Sequence, residues 1–479
     1  MTQLVTSMAA LESDFNMMRQ YLEKNKEARP IHGVERDIRE MVRRAGRTML
    51  ACFVEGVGTG DVGTHLDEAR EWRRHGTHDL TYRSMFGPVP MTRAYYHHDQ
   101  QGGFCPLDAA LALPERSYSY VLQGFGLEMD ADISYGGTHN SLDRMLGVTM
   151  PKAMLEATTL EASRDVTAFW QQQEAPSGEG EVIVVEADAK GINMVRPAEK
   201  EPGPKFRAKK GEKHNKKKMA NLFTIQTLDP VADTEPTILN RKTYGFLCSK
   251  REAFEQIVAE VQKRRVGRAK ILFLSDGDPD LTALAREFFP DAEHCVDLIH
   301  VVERLWTAAY LYFPEGSERA NAWVEKRRDW LMAGEVGTVI RGLKQSLAKN
   351  TGLKAPQRET LTKVIGYLEG VKERVPYQEF WAAGLPVSTG SMEGGCRHLV
   401  CDRMERTGMH WKEPGAQAML HVRAVHINHE AKAFEAFRIG REQERLYGEQ
   451  SKIIDLQRWQ DLVIKQSADM KQATYATSA

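Results

Sequence analysis

The chain has 479 residues, 27% of them charged, and a formal net charge of −1. That length supports roughly two to four domains and a sizeable core; the near-neutral balance excludes a uniformly basic DNA-binding protein, so any nucleic-acid surface must come from segregated charge. No apolar run approaches the ~18 residues of a membrane span and the start MTQLVTSMAALESDFNMM lacks a basic-then-apolar signal region, which predicts a soluble, unexported, cytoplasmic protein with no membrane partner.

Residues 1–80 read as a helical region, from LESDFNMMRQYLEKN and VERDIREMVRRAGRTMLACFVEG, with apolar residues at three- and four-residue spacing. Residues 81–173 read as a β-containing and helix-turn-helix region. LTYRSMFGPVPMTRAYY and PLDAALALPERSYSY look β-like, and THNSLDRMLGVTMPKAMLEATTLEASRDV gives a helix, a break at Gly147 and a second helix. Thr149 is the expected cap of that second helix and Pro151 its first turn; Lys152 lies on it as a candidate DNA contact. EAPSGEGE, 174–181, reads as a linker. Then come strand 182–188, a basic loop, strands 221–228 and 243–248, helix 250–265, strand 271–275, helix 279–288 and strand 294–297, the first part of a core spanning 174–300. Three consecutive strands followed by alternating helix and strand predict an RNase H-like mixed sheet. Residues 301–384 read as an all-helical insertion, 385–435 as the second part of the core, and 436–479 as a helical tail. The six cysteines, at 52, 105, 248, 295, 396 and 401, lack the close pairing of zinc or redox sites and read as free thiols.

Three acids stand where a chain usually avoids one. Asp188 closes the apolar run EVIVVEAD, Asp276 closes ILFLSD, and Glu393 lies in STGSMEGG at the start of a helical stretch. Two carboxylates at strand ends and one on a helix can hold two divalent cations about 3.5–4 Å apart, the arrangement for in-line phosphoryl displacement. Glu186 shares the face of Asp188 and is the alternative ligand. Asp278 competes with Asp276, but it precedes Pro279 and suits the cap of the next helix, whereas Gly277 leaves room beside Asp276. Each acid also has an ordinary structural reading, as a solvated strand end, a cap or an ion-pair partner. His300 lies one helical turn from Asp297 and reads as a structural residue or a positioning residue, rather than a base. Trp411 reads as core or as a stacking surface for an unpaired base. RPAEKEPGPKFRAKKGEKHNKKK, 196–218, carries ten Lys or Arg against three Glu; it reads as a solvated loop or as a phosphate-binding run through Lys209, Lys210, Lys216, Lys217 and Lys218.

VEADAKG (185–191), FLSDGDPDL (273–281), FFPDAEHCVDLIHVVERLW (288–306) and SMEGGCRHLVCDRMERTGMHW (391–411) together resemble bacterial DDE transposases of the ISKra-type insertion-sequence family, and more distantly the Mutator group. Asp297-Leu-Ile-His300 looks like the Cys-or-Asp, two residues, His element of such enzymes. The resemblance is strong over about 180–430 and weaker over roughly 30–165, where YYHHDQQGGFC lacks the paired Cys-x-x-Cys of many relatives. It implies a nucleoid-associated bacterial transposase that cleaves transposon ends and transfers strands into target DNA. Asp188, Asp276 and Glu393 would be the catalytic and metal-binding residues, with Mg²⁺ as cofactor and Mn²⁺ able to substitute. Asp297, His300 and Trp411 would stand beside that site. The partners implied are terminal inverted repeats, target DNA and further copies of the chain in a dimer or larger assembly. A catalytically silent DNA-binding regulator and a nuclease without strand transfer remain the alternatives.

Overall fold

The computed structural model describes residues 2–66, 71–195, 217–232, 237–265, 267, 269–350, 352–388 and 390–448. The chain divides into two compact units, Met1–Thr158 with Lys432–Ala479, and Thr159–Ala431.

The first unit opens on two helices, α1 (Thr2–Lys24) and α2 (Ile31–Val57), followed by a three-stranded antiparallel sheet, β1 (Arg73–Ser84), β2 (Gly87–His98) and β3 (Gly102–Phe104). Helical structure therefore stops well short of residue 80: in RRHGTHDLTYRS the chain pairs strand to strand with β2, from Arg73 opposite His97 to Ser84 opposite Gly87. The YYHHDQQGGFC stretch is the β2–β3 hairpin, and PLDAA is a short helix, α3 (Pro106–Ala110), in place of the expected strand, because Pro106 fits a first helical turn. Ser119 and Ser134 cap α4 (Tyr120–Asp132) and α5 (Tyr135–Leu146) by accepting from the Leu122 and Gly137 amides. Gly147, at φ 67°, ends α5 in the left-handed region. In α6 (Lys152–Gln172) the Pro151 carbonyl accepts from the Met154 and Leu155 amides, so Pro151 sits just outside the helix rather than in its first turn. Leu122, Leu142, Met150 and Leu155 form a small core among these helices.

The second unit is built on a five-stranded sheet. Its strands are β4 (Val182–Asn193), β5 (Lys217–Asp229), β6 (Thr237–Phe246), β7 (Lys270–Ser275) and β8 (Glu293–Val296), in the spatial order β6-β5-β4-β7-β8. The first three pair antiparallel; β7 and β8 add parallel to β4. The strand and helix succession read from sequence is present, with β4, β5 and β6 longer than expected: the β4–β5 hairpin runs on to Asn193 opposite Lys217, and β6 spans Thr237–Phe246 rather than 243–248. Helix α7 (Lys250–Arg264) starts at a Ser249–Glu252 capping box, and α8 (Pro279–Phe288) follows β7. The segment expected as a linker is tied to the sheet, since Thr227 Oγ1 donates to Glu179 and Asp229 accepts from the Glu181 amide.

After β8 come α9 (Leu298–Ala309), α10 (Glu318–Met332), α11 (Val336–Lys349), α12 (Ala355–Val371), a 3₁₀ turn (Lys372–Arg374) and α13 (Tyr377–Ala382). These helices share one apolar cluster with the sheet: Val184, Leu272 and Leu274 are continuous with Val301, Leu305, Leu361 and Leu368. The helical insertion is thus part of the sheet's own core. Next are α14 (Gly390–Cys396), a π-helical turn (Arg397–Cys401), α15 (Asp402–Met404), a 3₁₀ turn (Arg406–Gly408) and α16 (Glu413–Ile427); α17 (Ala431–Tyr447) returns to the first unit. Among the described residues, no helix is long and apolar enough to cross a membrane.

Candidate active site

Alternation along β4 puts Val182, Val184, Glu186 and Asp188 on one face, the face that also presents Val182 and Val184 to the helical core. Glu186 is fully buried and accepts from Gln226 Nε2 at 3.0 Å, so this alternative ligand is committed inside the sheet. Asp188, two residues on, is only partly buried.

The register then sets three acids in a row. Ala187 pairs with Ser275 and Ser275 with Val296. The next residue on each chain is Asp188, Asp276 and Asp297, side by side at the carboxyl ends of β7 and β8, with a strand spacing of about 4.8 Å; β4 itself runs on past Asp188 to Asn193. Open α/β sheets bind ligands at such an edge.

The three carboxylates are held differently. Asp297 is fully buried and caps α9, one oxygen accepting from the Ile299 amide at 3.0 Å and the other paired with His300 Nδ1 at 2.7 Å. Asp276 is partly buried; one oxygen accepts from the Asp278 amide at 2.9 Å, and its carbonyl accepts from the Tyr367 hydroxyl of α12 at 2.9 Å. Asp188 accepts from the Ala189 amide at 2.7 Å and from the Cys396 thiol of α14 at 3.3 Å. Burial and the adjoining Asp188 charge push that thiol well above the ordinary range, which keeps it a neutral S–H donor.

Asp278 takes the structural role. It accepts from the Asp280 and Leu281 amides at 2.8 and 3.0 Å to cap α8, and pairs with Lys250 at 2.9 and 2.8 Å. Burial works against its charge, but the Lys250 and helix-amide bonds outweigh that and hold its carboxyl below the usual range. Gly277 lies between the two acids at φ +88°, with Val371 Cγ1 only 3.0 Å from where a Cβ would sit. Only glycine meets both conditions without strain.

His300 is raised to about 9, first by its bond to Asp297, against burial, and further by the charges of Asp297 and Asp188. At neutral pH it is an imidazolium within electrostatic reach of Asp188. That suits a positioning or phosphate-contacting residue and not a base.

Glu393 lies on α14, three residues before Cys396, and is exposed. One helical turn separates it from the Cys396–Asp188 contact. Among the described residues no group of three His, Cys, Asp or Glu side chains is close enough to hold a metal ion, so Glu393 does not close on the two strand-end carboxylates. Trp411 is buried, donates to the Met404 carbonyl at 3.0 Å, and its backbone bonds to Asn193, the last residue of β4, and to Val195. It is core and not an open stacking surface. Lys217 pairs with Glu405 at 3.0 Å and Lys218 with Glu413; Lys209, Lys210 and Lys216 lie outside the described residues. Lys217 and Lys218 open β5, opposite Asn193 and Ile192 near the end of β4. In the first unit, exposed Lys152 begins α6, its Cε 3.3 Å from where a Cβ on Gly136 would sit.

Two residues at the site are additions of the structure. Cys396 follows Glu393 by three and shares its helix face, a signal present in the sequence. Tyr367 comes from inside the helical insertion, and nothing local marks it.

The second unit is therefore a mixed α/β sheet domain with a carboxylate-lined edge, joined to a helical and antiparallel-sheet unit. The chain belongs to the Uncharacterised protein family (UPF0236), whose model matches residues 24–436. A search of curated proteins finds no match.

Proposed function

We propose that this protein is a DNA transposase with an RNase H-like catalytic core, cutting phosphodiesters at transposon ends and joining them to target DNA by a DDE mechanism. The observation that carries this reading is Asp188 and Asp276 at one level of adjacent parallel strands. The β6-β5-β4-β7-β8 strand order, with the Glu-bearing helix after an all-helical segment, supports it.

The donor set fits Mg²⁺ or Mn²⁺, since it is all carboxylate oxygen and half-open to solvent. Asp188 and Asp276 would hold the ions; Glu393, which does not close on them in this structure, would have to move in to complete the set. Bound there, such ions supply an activated water or 3′-hydroxyl and stabilise the leaving oxygen. The chain's own residues do the rest. Cys396 and the Ala189 amide fix the Asp188 carboxylate, Tyr367 and the Asp278 amide fix Asp276, and Asp297 fixes the His300 imidazolium. That cation, beside a cluster of anions, offers a place for a phosphate oxygen. The basic run between β4 and β5 would follow the DNA backbone, and the helices around Gly147 would read the terminal repeats.

The test is cleavage of DNA carrying the sequences that flank the gene, in Mg²⁺, by the full chain. Asp188→Asn and Glu393→Gln should abolish cleavage and leave binding intact. Unchanged cleavage in both variants would refute the assignment. Cleavage without joining would identify a nuclease, and binding without cleavage by the native chain a silent regulator.

A further inference from the structure

The α1–α2 pair carries an apolar stripe that the described residues of the first unit leave uncovered. Met8, Phe15 and Leu22 on α1 and Ile31, Ile38, Val42, Met49 and Phe53 on α2 are 41–78% exposed. On helices turning ~100° per residue, each set falls within about 60° of arc. Isolated exposed apolar residues are ordinary; eight aligned ones are not.

The seam between the helices fixes where the stripes point. Asp14 bonds Arg44 at 2.6 Å and Thr48 at 2.7 Å, and Tyr21 bonds Asp37 at 2.9 Å. Position 14 meets 44–48 while 21 meets 37, so the helices run antiparallel. From these seam residues the stripe lies roughly a third of a turn round, in the same rotational sense on both helices. In an antiparallel pair, equal offsets in the same sense put both stripes on one side of the hairpin. Exposed Arg36 and Glu40 lie away from it.

We infer that this side is a self-association surface, on which a second copy of the chain packs through a twofold axis to make a four-helix bundle. A two-helix face with one stripe per helix is self-complementary under that symmetry, as an isologous contact requires. Its size also fits. Half-exposed Leu, Ile, Met, Val and Phe side chains offer roughly 80–100 Å² each, so eight give roughly 600–800 Å² per protomer, the standard range for a stable interface. The pairing needs neither DNA nor metal, so its outcome is separate from that of the cleavage assay.

Sedimentation equilibrium of the full chain at micromolar concentration, without DNA, tests it. The native protein should have twice the chain mass, and Phe15→Glu with Val42→Glu should return it to the single-chain mass. Met17→Glu, on the opposite side of α1 and 38% exposed, should remain a dimer. Far-UV circular dichroism and the milder Phe15→Ser, Val42→Ser pair separate a failure to pair from a failure to fold: helicity should stay unchanged and the dimer weaken at least tenfold. A native chain that is monomeric, or a well-folded Glu pair that remains dimeric, would overturn the inference; so would a native monomer that pairs only after residues 449–479 are removed, since those residues would then be the stripe's occupant.

Discussion

Asp276 and Asp278 differ by two positions and are assigned opposite roles, so exchanging their phenotypes would undo the account of the site. Asp278→Ala removes two cap bonds of 2.8 and 3.0 Å and two Lys250 bonds of 2.9 and 2.8 Å. Removing a cap costs about 0.5–2 kcal/mol. The Lys250 pair, about a third exposed on each side, adds about 0.2–1 kcal/mol after solvent screening. The sum, about 1–3 kcal/mol, corresponds to a melting temperature lower by roughly 2–10 °C in a domain of this size. Asp276→Asn keeps an amide oxygen that can accept from the Asp278 amide, so its melting should stay within about 0.5 kcal/mol of native, while cleavage disappears. The acid dependence has a definite sign. Asp278 has a folded-state pKa below its unfolded value, so its stabilisation is present above ~3.9 and lost as pH falls through the folded value. The melting gap between native protein and Asp278→Ala should therefore narrow in acid. Calorimetry with a cleavage assay on both variants decides it; an unstable, active Asp276→Asn beside a stable, inactive Asp278→Ala would refute the reasoning.

In the metal-free protein, NMR should find His300 titrating near 9 and falling toward ~6.5 in Asp297→Asn; its stabilising contribution is complete below ~6.5 and is lost as pH rises through about 9. A His300 that titrates near 6.5 in the native protein would remove the fixed cation from the site. Replacing Lys209, Lys210 and Lys216 with Ala should flatten the plot of log affinity against log salt by nearly one unit for each phosphate that is no longer neutralised. The Lys217 and Lys218 pair, already engaged by Glu405 and Glu413, should flatten it less, and an unaltered slope would mean a solvated run. Lys152→Ala should weaken binding to terminal repeats more than to random duplex; equal weakening on both would argue against a reading helix at α6.

Much of the second unit is legible in the sequence because its strands are buried and bounded by caps. EVIVVEAD and ILFLSD are short apolar runs ended by turn residues, and Asp278 before Pro279 announces a helix start. What stays hidden is non-local. The alignment of Asp297 with Asp188 and Asp276 follows from strand register, which no single segment encodes, and Tyr367 reaches Asp276 from 91 positions away. The β4–β5 extension is hidden because Lys190, Gly191 and Asn193 look like loop residues, yet cross-strand pairing carries them to Lys217. The expected helix up to residue 80 fails for the same reason: RRHGTHD has no apolar alternation, and its strand character comes from pairing with β2. Glu393 is visible as an acid at a helix start, but its separation from the strand-end pair depends on how α14 packs, which sequence does not give.

The central claim is that the carboxylate edge of the five-stranded sheet binds divalent metal for phosphodiester chemistry. Anomalous scattering from crystals soaked in Mn²⁺ measures this most directly. The account predicts a peak between Asp188 and Asp276, abolished in Asp188→Asn, with Glu393 drawn to it when DNA is bound. A peak elsewhere, or an edge that stays free of Mn²⁺ with DNA present, would contradict it.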